Sequence, residues 1–218
     1  MSVIVACRAS DGTIVFGAER QVTGEDERRE MGKLTFHPLD SGTALIGMAA
    51  SDVNLAFSRK TELRRALNKL RKGDDPLEVV RRHMSCADQN DPSKVQLLCA
   101  VVLDASTPPK LMGISESEVV DLNEHRICGV GSGDGAALGL LKQMDKRHGS
   151  LRDTQIAVCA SVWLAKQTDP LCGGATDIWW LCSGSATGSV SDEQIRSWES
   201  YFERSLPVVL KQWIEVIS

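Results

Sequence analysis

Ser2 follows Met1 directly and opens an apolar, β-branched run, Ser2-Val3-Ile4-Val5-Ala6-Cys7-Arg8. Removal of Met1 would leave a hydroxyl and a free α-amino group on one residue. A serine hydroxyl is a weak nucleophile at neutral pH unless a base stands beside it. An α-amine, with an ordinary pKa of ~7.7–8.0, is such a base. One residue could therefore carry both nucleophile and general base. Small second residues are common, so position alone favours a Ser2 with no role, and the rest of the chain changes that weighting.

Other chemistries have little support. The histidines His37, His83, His125 and His148 lie far apart and lack metal-ligand spacing, so neither a metal nor another cofactor is expected. The cysteines Cys7, Cys86, Cys99, Cys128, Cys159, Cys172 and Cys182 are odd in number, scattered, and form no CxxC pair. Buried reduced thiols in a cytoplasmic protein are the simplest expectation.

A formal charge of −4 argues against a nucleic-acid partner. Arg59, Lys60, Arg64, Arg65, Lys69, Arg71 and Lys72 cluster, but they alternate with Leu63, Leu67 and Leu70 at helical spacing, which predicts a solvated helix face. No run approaches the ~18 apolar residues of a membrane span. No signal peptide is evident, and no membrane partner is expected. With 218 residues and no low-complexity linker, one domain over 1–218 is expected.

The elements that must position Ser2 follow from periodicity and turn chemistry. Val3–Arg8 and Thr13–Gly17 flank Ser10-Asp11-Gly12 and predict a hairpin. Leu34–His37 and Thr43–Ala50 predict a second. Asp52 caps a helix through about Lys72, and Asp74-Asp75-Pro76 starts another through about Asp88. Strands are expected over Val95–Leu103, Lys110–Ile114, Val119–Leu122 and Arg126–Val130. Helices over Ala136–Arg147 and Leu151–Gln167 follow, then a strand over Ala175–Cys182 and a small, flexible segment over Gly184–Ser189. A last helix spans 191–217, bent or broken near Pro207. Helix pairs between groups of strands predict an α+β fold: a four-layer αββα sandwich, two antiparallel sheets face to face with helices outside.

Six separated motifs in this order resemble the proteasome β-subunit superfamily of N-terminal-nucleophile hydrolases. They are Ser2–Arg8, Phe16-Gly17-Ala18-Glu19-Arg20, Gly32-Lys33-Leu34, Leu45-Ile46-Gly47-Met48-Ala49-Ala50, Gly129-Val130-Gly131-Ser132-Gly133 and Thr168-Asp169-Pro170-Leu171-Cys172-Gly173-Gly174. Each is weak alone; their order and spacing carry the resemblance, which spans about Ser2 to Cys182. The bacterial members are the most similar: the peptidase partner of the heat-shock unfoldase and the ancestral β-subunit type.

The resemblance implies a threonine-protease-type peptidase in which Ser2 attacks the scissile carbonyl. It implies that Lys33 lies near the Ser2 hydroxyl and lowers its pKa, with Glu19 paired to Lys33. The Gly47 amide would face the oxyanion, and Ser132, Asp169 and Cys172 would hold the α-amine. The implied partners are a peptide or unfolded protein substrate, further copies of the chain in a homo-oligomeric ring, and an ATP-dependent unfoldase. In isolation Lys33 reads as a solvated lysine, Gly47 as a close strand crossing, Ser132 as a helix cap and Asp169 as a helix stop.

The chain departs from the family pattern at Ser2 (usually Thr), Glu19 (usually Asp) and Cys172 (usually Ser). Its first hairpin is also one residue longer between Arg8 and Glu19. Either Ser2 or Val3 then takes the nucleophile position; Ser2 keeps Ile4-Val5 and Arg8 in register. Two other readings stay open: an inactive β-like scaffold subunit, and a small-molecule amidase of the same superfamily.

Overall fold

The computed structural model describes residues 2–23, 28–84, 95–104, 106–144 and 149–217. Cys86, Asp88, Arg147 and His148, named above at expected helix ends or among the thiols and histidines, lie outside them.

One antiparallel sheet has the strand order β10-β1-β2-β11-β12, from β1 (Val3–Arg8), β2 (Ile14–Glu19), β10 (Ile127–Gly131), β11 (Thr176–Leu181) and β12 (Thr187–Ser189). The other runs β5-β6-β7-β8-β9, from β5 (Leu34–Leu39), β6 (Gly42–Ala50), β7 (Val95–Val102), β8 (Lys110–Ile114) and β9 (Val119–Asp121). A separate two-stranded ribbon, β3 (Gln21–Thr23) with β4 (Arg28–Glu30), lies between β2 and β5 in sequence.

Side-chain alternation builds the layers. In β1, Ile4 and Ala6 point into the gap between sheets, where Phe16, Leu45, Leu98 and Ala100 meet them. Val3, Val5 and Cys7 point the other way, against α3 (Asp134–Met144) and α4 (Leu151–Thr168), with Ile195 and Phe202 of α5 (Asp192–Ile217) nearby. On the far side, α1 (Val53–Leu67) and α2 (Pro76–His83) cover Ile46, Met48, Leu97 and Cys99. The result is the αββα sandwich expected from the element order.

Local chemistry sets several boundaries. Asp52 accepts from the Asn54 and Leu55 amides and starts α1. Ser150 and Asp153 form a reciprocal capping box that starts α4.

Four local expectations change. The first helix ends at Leu67 rather than Lys72; Leu70 still reaches the core, from a turn beyond the helix. The helix α5 runs on through Pro207 without a break. The small segment at 184–189 is ordered, because β12 pairs with Trp179–Leu181 and Gly188 lies under the Trp180 ring. Arg59 is not on a solvated face: it is 7% exposed, and its guanidinium binds Glu62 and the carbonyls of Ser115 and Glu116.

Candidate active site

The turn Gly131-Ser132-Gly133 joins β10 to α3 and passes across the start of β1. Val3 stands opposite Gly131 in the β1–β10 ladder. Gly131 has φ +107°, and a Cβ there would fall 1.9 Å from the Ser2 carbonyl oxygen, so both its conformation and its closeness require glycine. The Gly133 amide approaches the same oxygen at 3.5 Å.

Ser2, Ala49, Ala50, Gln96, Gly131, Ser132 and Asp134 line a cavity of about 220 Å³. It lies at one end of the inter-sheet layer, where Ala49 faces Gln96 across β6 and β7. Val3, the other occupant the longer hairpin allows, has its side chain fully buried in the α3–α4 core.

Glu19 ends β2 level with Val3. Its carboxylate accepts the Val3 amide at 3.2 Å and the Gln21 amide at 2.6 Å, and pairs with the Lys33 ammonium. Lys33 also donates to the Gln21 carbonyl. Both side chains are sealed: Lys33 is 2% exposed and Glu19 0%. Burial pushes the Glu19 carboxyl above its ordinary range, against the pull of Lys33 and the two amides. Burial likewise pushes the Lys33 ammonium below its ordinary value, against the pull of Glu19. Among the described residues, the ammonium's hydrogen-bond partners are Glu19 and Gln21, not the Ser2 hydroxyl.

A second cluster comes from the end of α4. Asp169 caps that helix, and its side chain accepts the Leu171 amide at 2.9 Å and the Cys172 thiol at 3.6 Å. The Ser132 hydroxyl also hydrogen-bonds it. Burial opposes ionisation of Asp169, but the bonds from Ser132, Leu171 and Cys172 outweigh it and hold the carboxyl below its usual range. Cys172 is pushed up to about 12, first by burial and then by the Glu19 and Asp169 carboxylates, so its thiol stays protonated and donates. The loop that follows holds the other cluster in place: the Gly173 carbonyl accepts the Gln21 amide at 3.1 Å.

The fold therefore gathers six of the seven residues picked out in the sequence. Ser2 and Ser132 share the cavity. Asp169 and Cys172 adjoin Ser132, and Glu19 and Lys33 brace the Val3 amide just behind Ser2.

Gly47 is the exception, and the β6 register gives the reason. The Met48 amide bonds the Lys33 carbonyl at 3.1 Å, so Met48 addresses the β5 side. Amides alternate edges along a strand, so Gly47 addresses β7, where its ladder partner is Leu98. Its Cα faces the inter-sheet core, where an added Cβ would lie 2.8 Å from Ile4 Cγ2. Gly47 is thus a close sheet crossing and does not line the cavity.

Gln96 and Asp134 were not singled out in the sequence. Gln96 could have been: in Val95–Val102 it is the one polar residue, at the strand's start and in phase with Leu98 and Ala100. Among the described residues no group of side chains could hold a metal ion, and no helix is long and apolar enough to cross a membrane.

No protein-family model matches the chain, and no curated protein matches it in sequence. Solved structures do match. The ancestral β-subunit (Anbu) from Yersinia bercovieri aligns with TM-score 0.75 at 13% identity, covering 96% of this chain and 97% of that one. A Gly-1 mutant of Anbu from Hyphomicrobium sp. strain MC1 gives 0.75 at 14% identity, with 97% of each chain covered. Anbu from the helical assembly of Pseudomonas aeruginosa gives 0.71 at 15%, with 96% of each covered. Over almost its whole length, the chain has the fold of the ancestral β-subunit proteins, the bacterial proteasome-like type.

Proposed function

We propose that the chain is an N-terminal-nucleophile peptidase that uses Ser2 once Met1 has been removed. One observation carries the reading: the two polar clusters converge on the Ser2–Val3 peptide. Glu19 accepts the Val3 amide, while the turn bearing Ser132 passes over the Ser2 carbonyl. Ser2 itself opens on a cavity.

In the proposed reaction the Ser2 hydroxyl attacks a peptide carbonyl and gives its proton to its own α-amine. Ser132 and Asp169 hold that amine. The ammonium then protonates the leaving amine as the C–N bond breaks, leaving an ester on Ser2. Water, deprotonated by the same amine, hydrolyses the ester. The Lys33 ammonium acts through its field, favouring the developing alkoxide at short range inside a site of low dielectric.

The substrate is a peptide or unfolded chain in the cytoplasm, and the catalyst is a homo-oligomer. The Anbu complex of Pseudomonas aeruginosa forms a helical assembly. Head-to-tail contacts close into a ring or continue as a helix, depending on the rotation between neighbours. An ATP-dependent unfoldase is the partner class for such an assembly.

The test combines three measurements on purified protein. Intact mass should place the N-terminus at Ser2. A peptide epoxyketone, which needs hydroxyl and amine on one residue, should add once per chain. Ser2→Ala should abolish cleavage of fluorogenic peptides. Activity persisting in pure Ser2→Ala protein, or a mature chain that retains Met1, refutes the assignment. The Gly47 geometry favours one second reading, an inactive scaffold subunit, because the expected oxyanion amide is held in the ladder. A mature chain that retains Met1 and still assembles supports it.

A further inference from the structure

Gly47 does not line the cavity beside Ser2, but a polar side chain that does line it can act as a donor. Gln96 is the second residue of β7, with its side chain on the inter-sheet face, and lines the same cavity as Ser2. Its carboxamide oxygen accepts the Gly131 amide at 3.1 Å. That bond settles which way the group is turned, because an N–H can be met only by the oxygen of a carboxamide. The NH2 end is therefore directed away from Gly131, and among the described residues no acceptor takes it. Gly131 is itself fixed against the Ser2 carbonyl by its +107° φ. Carboxamide, turn and nucleophile thus form one rigid unit: Gln96 is held by Gly131, and Gly131 by Ser2.

We propose that Gln96 is a catalytic residue whose Nε2 donates to the oxyanion formed when Ser2 attacks a carbonyl. This rests on the reading of Ser2 as nucleophile. In the tetrahedral intermediate the carbonyl π pair becomes a lone pair on oxygen, and the resulting negative charge needs a preorganised donor. A neutral carboxamide suits that role because it donates without titrating, and its bond to the Gly131 amide removes part of the cost of orienting it. No bond to Gln96 forms or breaks.

The test uses the mature, full-length protein. Gln96→Glu preserves an acceptor for the Gly131 amide but removes the donor, so it should fold, assemble and melt like the parent. Its kcat on fluorogenic peptide amides should fall about 10²–10³-fold with KM little changed, the loss seen when one oxyanion donor is removed. Gln96→Met, which removes donor and acceptor alike, should lose as much kcat and also lower the melting temperature. If wild type cleaves peptides through Ser2 and Gln96→Glu retains kcat within threefold, the Gln96 assignment is wrong and the Ser2 reading stands. If wild type neither cleaves peptides nor takes the epoxyketone at Ser2, the nucleophile reading fails, and the Gln96 role fails with it.

Discussion

Removing the Lys33 ammonium isolates the energetic heart of the site. The Glu19 carboxylate is fully enclosed, and its partners are two amides and one ammonium. Lys33→Met deletes the only positive charge among them and leaves a buried anion. Breaking a buried pair from one side costs about 3–5 kcal/mol. In a chain of this length each kcal/mol shifts the melting temperature by about 2–4 °C, so the expected fall is about 6–20 °C.

Glu19→Gln should cost a similar amount, because it strands the ammonium against the Gln21 carbonyl. Glu19→Gln/Lys33→Met should cost less than either single change, because no charge remains to be desolvated. The pH dependence gives a second handle. The folded pKa of Glu19 lies above its ordinary 4.5. From 4.5 up to that value the folded chain holds a proton the unfolded chain has released, so stability falls as pH rises. The folded pKa of Lys33 lies below its ordinary 10.5. From that value up to 10.5 the unfolded chain holds the extra proton, and stability rises with pH. The double variant should lose both slopes. Urea unfolding at fixed protein concentration across pH measures all of this. A Lys33→Met loss under about 1 kcal/mol, or a double variant worse than the sum of the singles, refutes the buried-pair account.

Gly131→Ala places a Cβ 1.9 Å from the Ser2 carbonyl oxygen at a φ of +107°, so it should displace Ser2 and abolish peptide cleavage while Gly135→Ala, whose Cβ meets nothing, is tolerated; comparable activity in the two variants refutes the turn's role. The Cys172 thiol, pushed up to about 12, should resist alkylation by iodoacetamide at pH 8 in native protein and react once urea unfolds it; rapid native labelling, read by peptide mass mapping, refutes its burial beside two carboxylates.

The architecture was legible because its signals are local. Val3–Arg8, Thr43–Ala50 and Val95–Val102 are apolar and β-branched, and Asp52 and Ser150 cap the helices that follow. The ribbon of β3 and β4 was not legible, because Gln21–Thr23 and Arg28–Glu30 lack apolar alternation, and distant bonds such as Lys33 to the Gln21 carbonyl and the Ala175 amide to Glu30 help place it beside its own pairing. Arg59 shares its spacing with solvated neighbours, but its guanidinium reaches the carbonyls of Ser115 and Glu116, a contact across 56 residues or more that spacing does not show. In the site, residue types were readable from motif spacing, but the direction of a backbone amide was not. Gly47 depends on strand parity, which one hydrogen bond from Met48 to Lys33 fixes. Side-chain alternation in β7, read back from Leu98, puts Gln96 on the inter-sheet face, where it lines the cavity.

The Glu19–Lys33 pair admits two readings, a structural brace and a catalytic charge, that can be separated. The Val3 and Gln21 amides are both capped by Glu19, so a carboxylate there satisfies two donors at the strand end whether or not any reaction occurs. Once a carboxylate is sealed in, an ammonium beside it offsets part of the desolvation cost, and Lys33 follows. A structural brace therefore predicts Lys33 as readily as catalysis does, and loss of activity in a destabilised Lys33→Met variant proves little. The double variant breaks the tie. It restores much of the stability by removing both charges, yet it restores no positive field beside Ser2. If it folds well and still forms the acyl-enzyme on Ser2 at the wild-type rate, the pair is a brace for the Ser2–Val3 peptide. If it folds well and acylation is slowed by orders of magnitude, Lys33 acts on the Ser2 hydroxyl through its charge, across a distance no hydrogen bond spans in the resting chain.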